Sequence, residues 1–312
     1  MKIEVAPYKG WARALHISNG DVELVVTLQV GPRILRYAHI GGPNLLKEIP
    51  EQMGTGGEDK WVMRGGHRLW ASPEDPAYTY YADNQPTEHG IEGNQAWIRS
   101  AMDPRSGLSY EMRITLQPTG SGVRVEHVVA NQGGKTFNLA PWALTVFATG
   151  GTAIIPLPAF APHPGDDATH AADFAPQMTL ALWPYFRFSD IRFAFGDHSI
   201  RVKQDPNASG PTKIGAALPT GWVAYHLNET LFVKRFTFDP KATYPDGGCN
   251  FETYTDADVL ELETLAGLRN VQPGQSASHI ETWSLHRDIN LPGDEAATDK
   301  LIAPLVAQTL QP

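Results

Sequence analysis

Hydrophobic and polar residues alternate with a period of two along most of this chain. Val123-Arg124-Val125-Glu126-His127-Val128-Val129 shows the pattern plainly. Alternation of this kind turns one apolar face to a core and one polar face outward, as a half-buried β-strand does. Strand patterns run through 3–6, 13–18, 22–29, 31–37, 108–117, 122–131, 135–149, 191–195, 199–203, 222–227, 231–237 and 279–285. Turn formers stand between them, among them Asn19-Gly20, Gly41-Gly42-Pro43-Asn44 and Gln272-Pro273-Gly274-Gln275. Residues 50–60 and 156–167 predict loops. Only 294–310 has a helical pattern, and Pro304 is expected to interrupt it. Short strands at regular spacing followed by one helix predict an all-β fold, an antiparallel sandwich. No linker composition divides the chain. The expectation is one sandwich over residues 1–290 with a helical tail, 291–312, packed on it.

The most informative strand pair spans Cys249 to Leu265. Two strand-like runs flank the polar tip Asp256-Ala257-Asp258, which predicts a hairpin. Pairing about that tip sets Tyr254 near Val259, Glu252 near Glu261 and Asn250 near Glu263. Asn250, Glu252, Glu261 and Glu263 then share one face, and Phe251, Thr253, Leu260 and Leu262 share the core face. Like charges opposed across a sheet are destabilising. Three carboxylates on one hairpin face therefore imply either a solvated face matched by basic residues of a neighbouring strand, or a cleft in which a carboxylate meets a sugar hydroxyl, a cation or a proton.

A second stretch, Trp61 to Glu74, sets Arg64, His67 and Arg68 between tryptophans and breaks them with Gly65-Gly66. A glycine pair in a strand marks a bulge or a close backbone approach. Aromatic faces beside Arg and His suit a sugar, which offers apolar C–H faces and a rim of hydroxyls. Arg heads snorkelling from a core strand account for the same pattern.

Composition narrows the partners. In 312 residues, 42% are hydrophobic and 19% charged, as in a folded globular protein, and the net charge is −9. That acidity, with no basic run, argues against nucleic acid. Met1 to Tyr8 has no signal-peptide core, and no apolar run reaches membrane-spanning length, so the expected setting is the cytoplasm, away from membranes. Cys249 is the single cysteine, which removes intrachain disulfides and cysteine zinc clusters. It is expected to be a buried structural residue.

Four segments, in order, resemble the galactose mutarotase-like (aldose 1-epimerase) superfamily. Gly31-Pro32-Arg33-Ile34-Leu35 through Asn44-Leu45-Leu46 looks like its opening strands. Met63-Arg64-Gly65-Gly66-His67 through Pro73 resembles the Arg-Gly-Gly segment of its hexose-6-phosphate epimerase branch. His89-Gly90-Ile91 looks like its His-Gly-Phe, and Leu262-Glu263-Thr264 like its Leu-Glu-Thr. Pro273-Gly274 and the Trp283 strand look like its closing strand. The resemblance spans about residues 20–287 and implies an antiparallel β-supersandwich with a site on a concave sheet face. It further implies Glu263 as catalytic base and Arg64 and His89 as substrate-binding groups. Two departures stand out. The family's second histidine, the general acid of a His-x-Tyr-Phe strand, has no counterpart in Ala140-Pro141-Trp142-Ala143-Leu144-Thr145-Val146-Phe147. Where the phosphate-binding branch carries Arg, this chain has Glu92-Gly93. The pattern is that of a side branch.

Mutarotation needs a base for the anomeric hydroxyl proton and an acid for the ring oxygen. Glu263 suits the base, with a pKa raised by Glu252 or Glu261, and His67 or His89 suits the acid. His163 and His170 are further stand-ins. Arg68, Trp70, Trp142, Asn250, Glu252 and Glu261 complete the expected sugar-binding set, with no metal and no cofactor. The ligand is expected to be a small sugar or an oligosaccharide. The leading expectation is an aldose 1-epimerase-like isomerase. A carbohydrate binder that lost the acid, or a lyase or glycoside hydrolase on the same fold, uses the same residues.

Overall fold

The structure is a computed structural model of the full chain, and it describes every residue except Ala82. In chain order the strands are β1 (Lys2–Tyr8), β2 (Trp11–Ser18), β3 (Val22–Thr27), β4 (Arg33–His39), β5 (His67–Ser72), β6 (Glu88–Glu92), β7 (Gln95–Arg99), β8 (Leu108–Leu116), β9 (Val123–Asn131), β10 (Phe137–Phe147) and β11 (Thr152–Pro156). There follow β12 (Thr179–Leu182), β13 (Phe193–Phe195), β14 (Ser199–Lys203), β15 (Thr212–Ala217), β16 (Trp222–Leu227), β17 (Thr230–Phe236), β18 (Phe251–Thr255), β19 (Leu260–Leu265), β20 (Arg269–Val271) and β21 (Ser276–His286), then the α-helix α1 (Glu295–Gln308); short 3-10 turns lie at Pro50–Gln52, Gly165–Asp167 and Ala171–Phe174.

They form two antiparallel sheets. The first runs β1-β2-β3-β4-β5-β10-β19-β18-β15-β12, with β20 also on β10; the second runs β13-β14-β11-β16-β17-β21-β9-β8-β7-β6. Their inner faces meet in one large apolar core that takes in Leu69, Phe147, Leu260 and Leu262 from the first sheet and Met112, Val125, Phe232 and Trp283 from the second. This is the alternation of the sequence realised as a sandwich, its two inner faces interdigitating. Among the described residues no helix is long and apolar enough to cross a membrane.

Three sequence expectations change here. The 156–167 loop is preceded by a strand, β11. β12, β15 and β20 also carry no clear alternation and were not expected. The helix runs through Pro304 without a break. Ile302 and Val306 on either side bury against Ile154, Ala224, Leu231 and Val233 of the second sheet, and this packing holds the helix where one backbone bond is missing.

A polar network crosses the core beneath the middle of the first sheet. Lys234 Nζ, fully buried, donates to Thr145 Oγ1 at 2.7 Å, to Glu281 Oε1 at 2.8 Å and to the Leu262 carbonyl at 3.3 Å. Glu281 also accepts from the Trp283 indole at 2.8 Å and from the Thr264 hydroxyl. His67 Nε2 and His127 Nε2 lie 2.7 Å apart, His67 Nδ1 meets Thr145 Oγ1 at 2.8 Å, and His127 Nδ1 meets the His279 carbonyl at 3.2 Å. These contacts assign the tautomers. His127 donates from Nδ1, so its Nε2 is bare and accepts from His67 Nε2–H, and His67 Nδ1 accepts from Thr145. Burial drives His127 and His279 down to about 3 and His67 well below its usual range, so all three are neutral.

Candidate functional site

The hairpin forms with the faces the sequence implies but a different register. Glu252 pairs with Glu263, Tyr254 with Glu261 and Thr255 with Leu260. The offset comes from the tip, which takes in Val259: Asp256 Oδ1 accepts from Asp258 N at 2.8 Å and Val259 N at 3.0 Å. The offset is two residues, so every side chain keeps its face. Asn250 falls outside the ladder. Its amide pairs with the backbone of Leu218, at 2.7 Å and 3.1 Å, and takes no part in the site.

The hairpin's carboxylates point away from the second sheet, onto the outer face of the first. Two cations answer them. Lys213, from β15, stands 2.9 Å from Glu263 Oε2 and 2.6 Å from Glu252 Oε2. Its ammonium lies between the rings of Trp142 and Trp183, 4.7 Å and 4.8 Å from their centroids. Arg68, from β5, forks onto both oxygens of Glu261 at 3.1 Å and 3.3 Å. Neighbouring strands thus supply the matching basic residues, but the face is buried and not solvated. Glu252, Glu261 and Glu263 are all nearly inaccessible. Burial pushes Glu263 upward and Glu252 well upward, against the pull of Lys213. Lys213 itself is raised, since the two carboxylates outweigh its burial. Two buried carboxylates share one cation, and neither oxygen of Glu252 has a hydrogen-bond partner among the described residues, although Oε2 lies 2.6 Å from the ammonium.

Above this floor lies a cleft of about 250 Å³. Its walls are aromatic. Trp70 packs against Trp61, Tyr80 and Trp142 at centroid distances of 5.1, 5.1 and 5.4 Å. Arg68 lies 4.3 Å over Trp70. Tyr185 and Tyr254 close the far side, and Glu74, bonded to the Tyr80 hydroxyl, stands at the rim. Glu263 is at the floor, its Oε2 accepting from the Trp142 indole at 3.0 Å as well as from Lys213.

Of the expected site residues, Arg68, Trp70, Trp142, Glu261 and Glu263 come together around the cleft. Glu252 shares the face but sits beneath Lys213 and does not line the cleft. The other expected groups lie elsewhere. His67 precedes Arg68 on β5, so its ring points inward to the core network. His89 is on β6, the edge strand of the second sheet, whereas the cleft lies on the first. Arg64 is buried in backbone with φ +52° and spends its guanidinium on Asn84, Thr55 and Glu58. It fastens the 52–60 loop and does not line the cleft. The next two positions require glycine: a Cβ on Gly65 would lie 2.2 Å from the Lys47 carbonyl oxygen, and one on Gly66 2.3 Å from that of Ile34. His163 and His170 sit exposed in the 157–175 loops. Cys249 is buried, and its thiol is pushed up by burial and by Glu252.

Sequence reasoning missed Lys213, Tyr185, Tyr254 and Tyr80. Tyr80 lay within a visible tyrosine run and Tyr254 on the hairpin's charged face. Lys213 gave no such signal, because Thr212-Lys213-Ile214-Gly215-Ala216-Ala217 is too small and too weakly alternating to read as a strand.

His67, His127 and Glu281 have donor atoms within 4.8 Å of one another, a spacing that fits a metal ion. Their contacts are already filled by protons. His67 donates to His127, and Glu281 is bonded by Lys234, Thr264 and Trp283. An ammonium 2.8 Å from the carboxylate opposes a second cation there.

Solved structures with this architecture are numerous. A galactose mutarotase-like protein from Lactobacillus casei superposes with a TM-score of 0.54 over 88% of this chain and 100% of its own, at 9% identity. The fold is that of the galactose mutarotase-like proteins. A second such protein, from Clostridium acetobutylicum, gives 0.51 over 92% and 99% at 9% identity. The Slr1438 protein of Synechocystis gives 0.57 over 92% and 99% at 13% identity. No protein-family model matches the chain, and no curated protein matches it. At these identities the likeness is one of fold. Leu144 stands directly across the ladder from Glu263, and no histidine lines the cleft among the described residues.

Proposed function

We propose that the cleft binds a sugar ring and that Glu263 takes the proton of its anomeric hydroxyl, in an aldose 1-epimerase-like isomerisation. The observation that carries this reading is Glu263 itself. It is a buried carboxylate at the floor of an aromatic cleft, raised toward neutral pH and held in place by Trp142 and Lys213. A base works best when its pKa lies near the operating pH. Trp61, Tyr80 and Tyr185, the more exposed rings of the cleft, offer faces for the C–H side of a pyranose, and Arg68, Glu261 and Glu74 offer partners for its hydroxyls. Lys213 donates one N–H to Glu263 and pairs with Glu252 Oε2 at 2.6 Å. It also lines the cleft, where an N–H can be offered to the ring oxygen. With its pKa raised, Lys213 serves there as a hydrogen-bond donor to developing negative charge.

A non-catalytic sugar-binding protein is the second reading. It is favoured by Leu144 opposite Glu263, in the strand where the resemblance calls for the acid histidine. Anomer interconversion separates the two. Freshly dissolved glucose, galactose, mannose, xylose and arabinose are followed by polarimetry or NMR with and without the protein, alongside calorimetric binding. The expected result is accelerated mutarotation of at least one sugar. Binding without acceleration establishes the second reading, and neither binding nor acceleration overturns both.

A further inference from the structure

The connection between β12 and β13 builds two sites in succession. Trp183 covers Lys213, and Tyr185 lines the cleft. The same segment then continues through Arg187 to Arg192 and, with the loop from Asp205 to Pro211, lines a second, open cavity of about 770 Å³. Tyr185 lines both, and among the described residues no other does. The cleft at about 250 Å³ falls just below the usual size of a small-molecule site, roughly 300–1,000 Å³, whereas the adjoining cavity falls within it. The first suits about one sugar ring, and the second has room for more.

The second cavity carries matching chemistry. Asp190 and Arg192 neutralise each other at 2.7 Å. Arg187 is exposed and has no ion-pair partner among the described residues. Asn207, Ser189 and Ser209 present amide and hydroxyl groups beside the apolar Pro184 and Ile191, the latter 90% exposed. A planar cation, an amide and hydroxyls next to apolar surface are what a sugar's hydroxyl rim and C–H face call for. A ligand in this cavity would take the exposed Ile191 side chain out of water and give the Arg187 guanidinium hydroxyl partners.

We propose that the ligand is an oligosaccharide, with its reducing-end ring in the cleft and the chain running past Tyr185 into the second cavity. The reducing end follows from Glu263, which needs a free anomeric hydroxyl. The inference rests on the reading of the cleft as a sugar site.

Calorimetric titration tests it, with glucose and galactose against maltose, cellobiose, lactose and maltotriose, on the wild type and on the Arg187→Ala/Asn207→Ala double variant. Both replaced residues are exposed and outside the cleft. At least one oligosaccharide is expected to bind about tenfold or more tighter than its component monosaccharide, and the double variant to lose that gain while monosaccharide affinity stays unchanged. Oligosaccharides binding no tighter than monosaccharides, or a gain that survives the double variant, overturns the extended site and leaves the cleft reading intact. Failure of every sugar to bind removes both.

Discussion

Replacing Glu263 by Gln is expected to slow anomer interconversion by about 10²–10⁴-fold, the usual contribution of a positioned general base. The amide keeps the size of the side chain and still accepts from the Trp142 indole. It cannot take a proton. Lys213 retains Glu252 at 2.6 Å, so no cation is left stranded, and the fold is expected to survive. Removing one of two carboxylates that face each other across the hairpin also relieves repulsion. Glu261→Gln is the control on the same face. It weakens the fork to Arg68 and is expected to affect sugar affinity more than the rate at saturation. The wild-type pH profile carries a second signature. Glu263 acts as the ionised base, and burial raises its pKa, so activity is expected to rise with pH through a range above that of an ordinary carboxylate. Full activity in Glu263→Gln, with activity abolished in Glu261→Gln, would place the base at the wrong carboxylate.

The largest effect on stability is expected from Lys234→Met. The ammonium is wholly buried and compensates Glu281, so its loss leaves a carboxylate uncompensated in the core, which costs about 3–5 kcal/mol. Urea denaturation measures it. The double variant Lys234→Met/Glu281→Leu is expected to recover much of the loss, because replacing both members of a buried pair by apolar residues is often close to neutral. A single-variant loss below about 1 kcal/mol would show that the pair carries little of the folding energy. The same network sets an acid limit. His127 and His279 lie at about 3 in the folded protein, against about 6.5 for a free histidine, so the unfolded chain binds more protons between these values. Their contribution is complete above about pH 6.5 and is lost as the pH falls toward 3. Stability that stayed flat over that window would mean that these rings are not held neutral.

The network also bears on the site. Leu262 and Thr264, which flank Glu263 on β19, are bonded from beneath by Lys234 and Glu281, and Thr145 of the neighbouring strand is bonded by both Lys234 and His67. The strand that aims Glu263 outward is thus fastened from its inner side. The His67 that looked in sequence like a catalytic acid belongs to this fastening.

Period-two alternation broken by turn formers, with one helical pattern at 294–310, determined by itself that the chain is antiparallel β closed by a helix, because side-chain facing follows directly from strand and helix geometry. It also determined that Glu252, Glu261 and Glu263 share a face. That assignment survived a two-residue shift in register, since any even shift preserves facing. Tertiary structure alone decided which face of β5 is the site: Arg68 and His67 are adjacent in sequence and end on opposite sides of a sheet. It alone brought Lys213, 50 residues from Glu263, to a distance of 2.9 Å, and it alone put His89 on the other sheet. Strand order is a long-range choice among pairings that local pattern leaves equivalent. A lysine on a short, weakly alternating strand becomes the counter-ion of a buried carboxylate only when the two strands are laid on either side of a third.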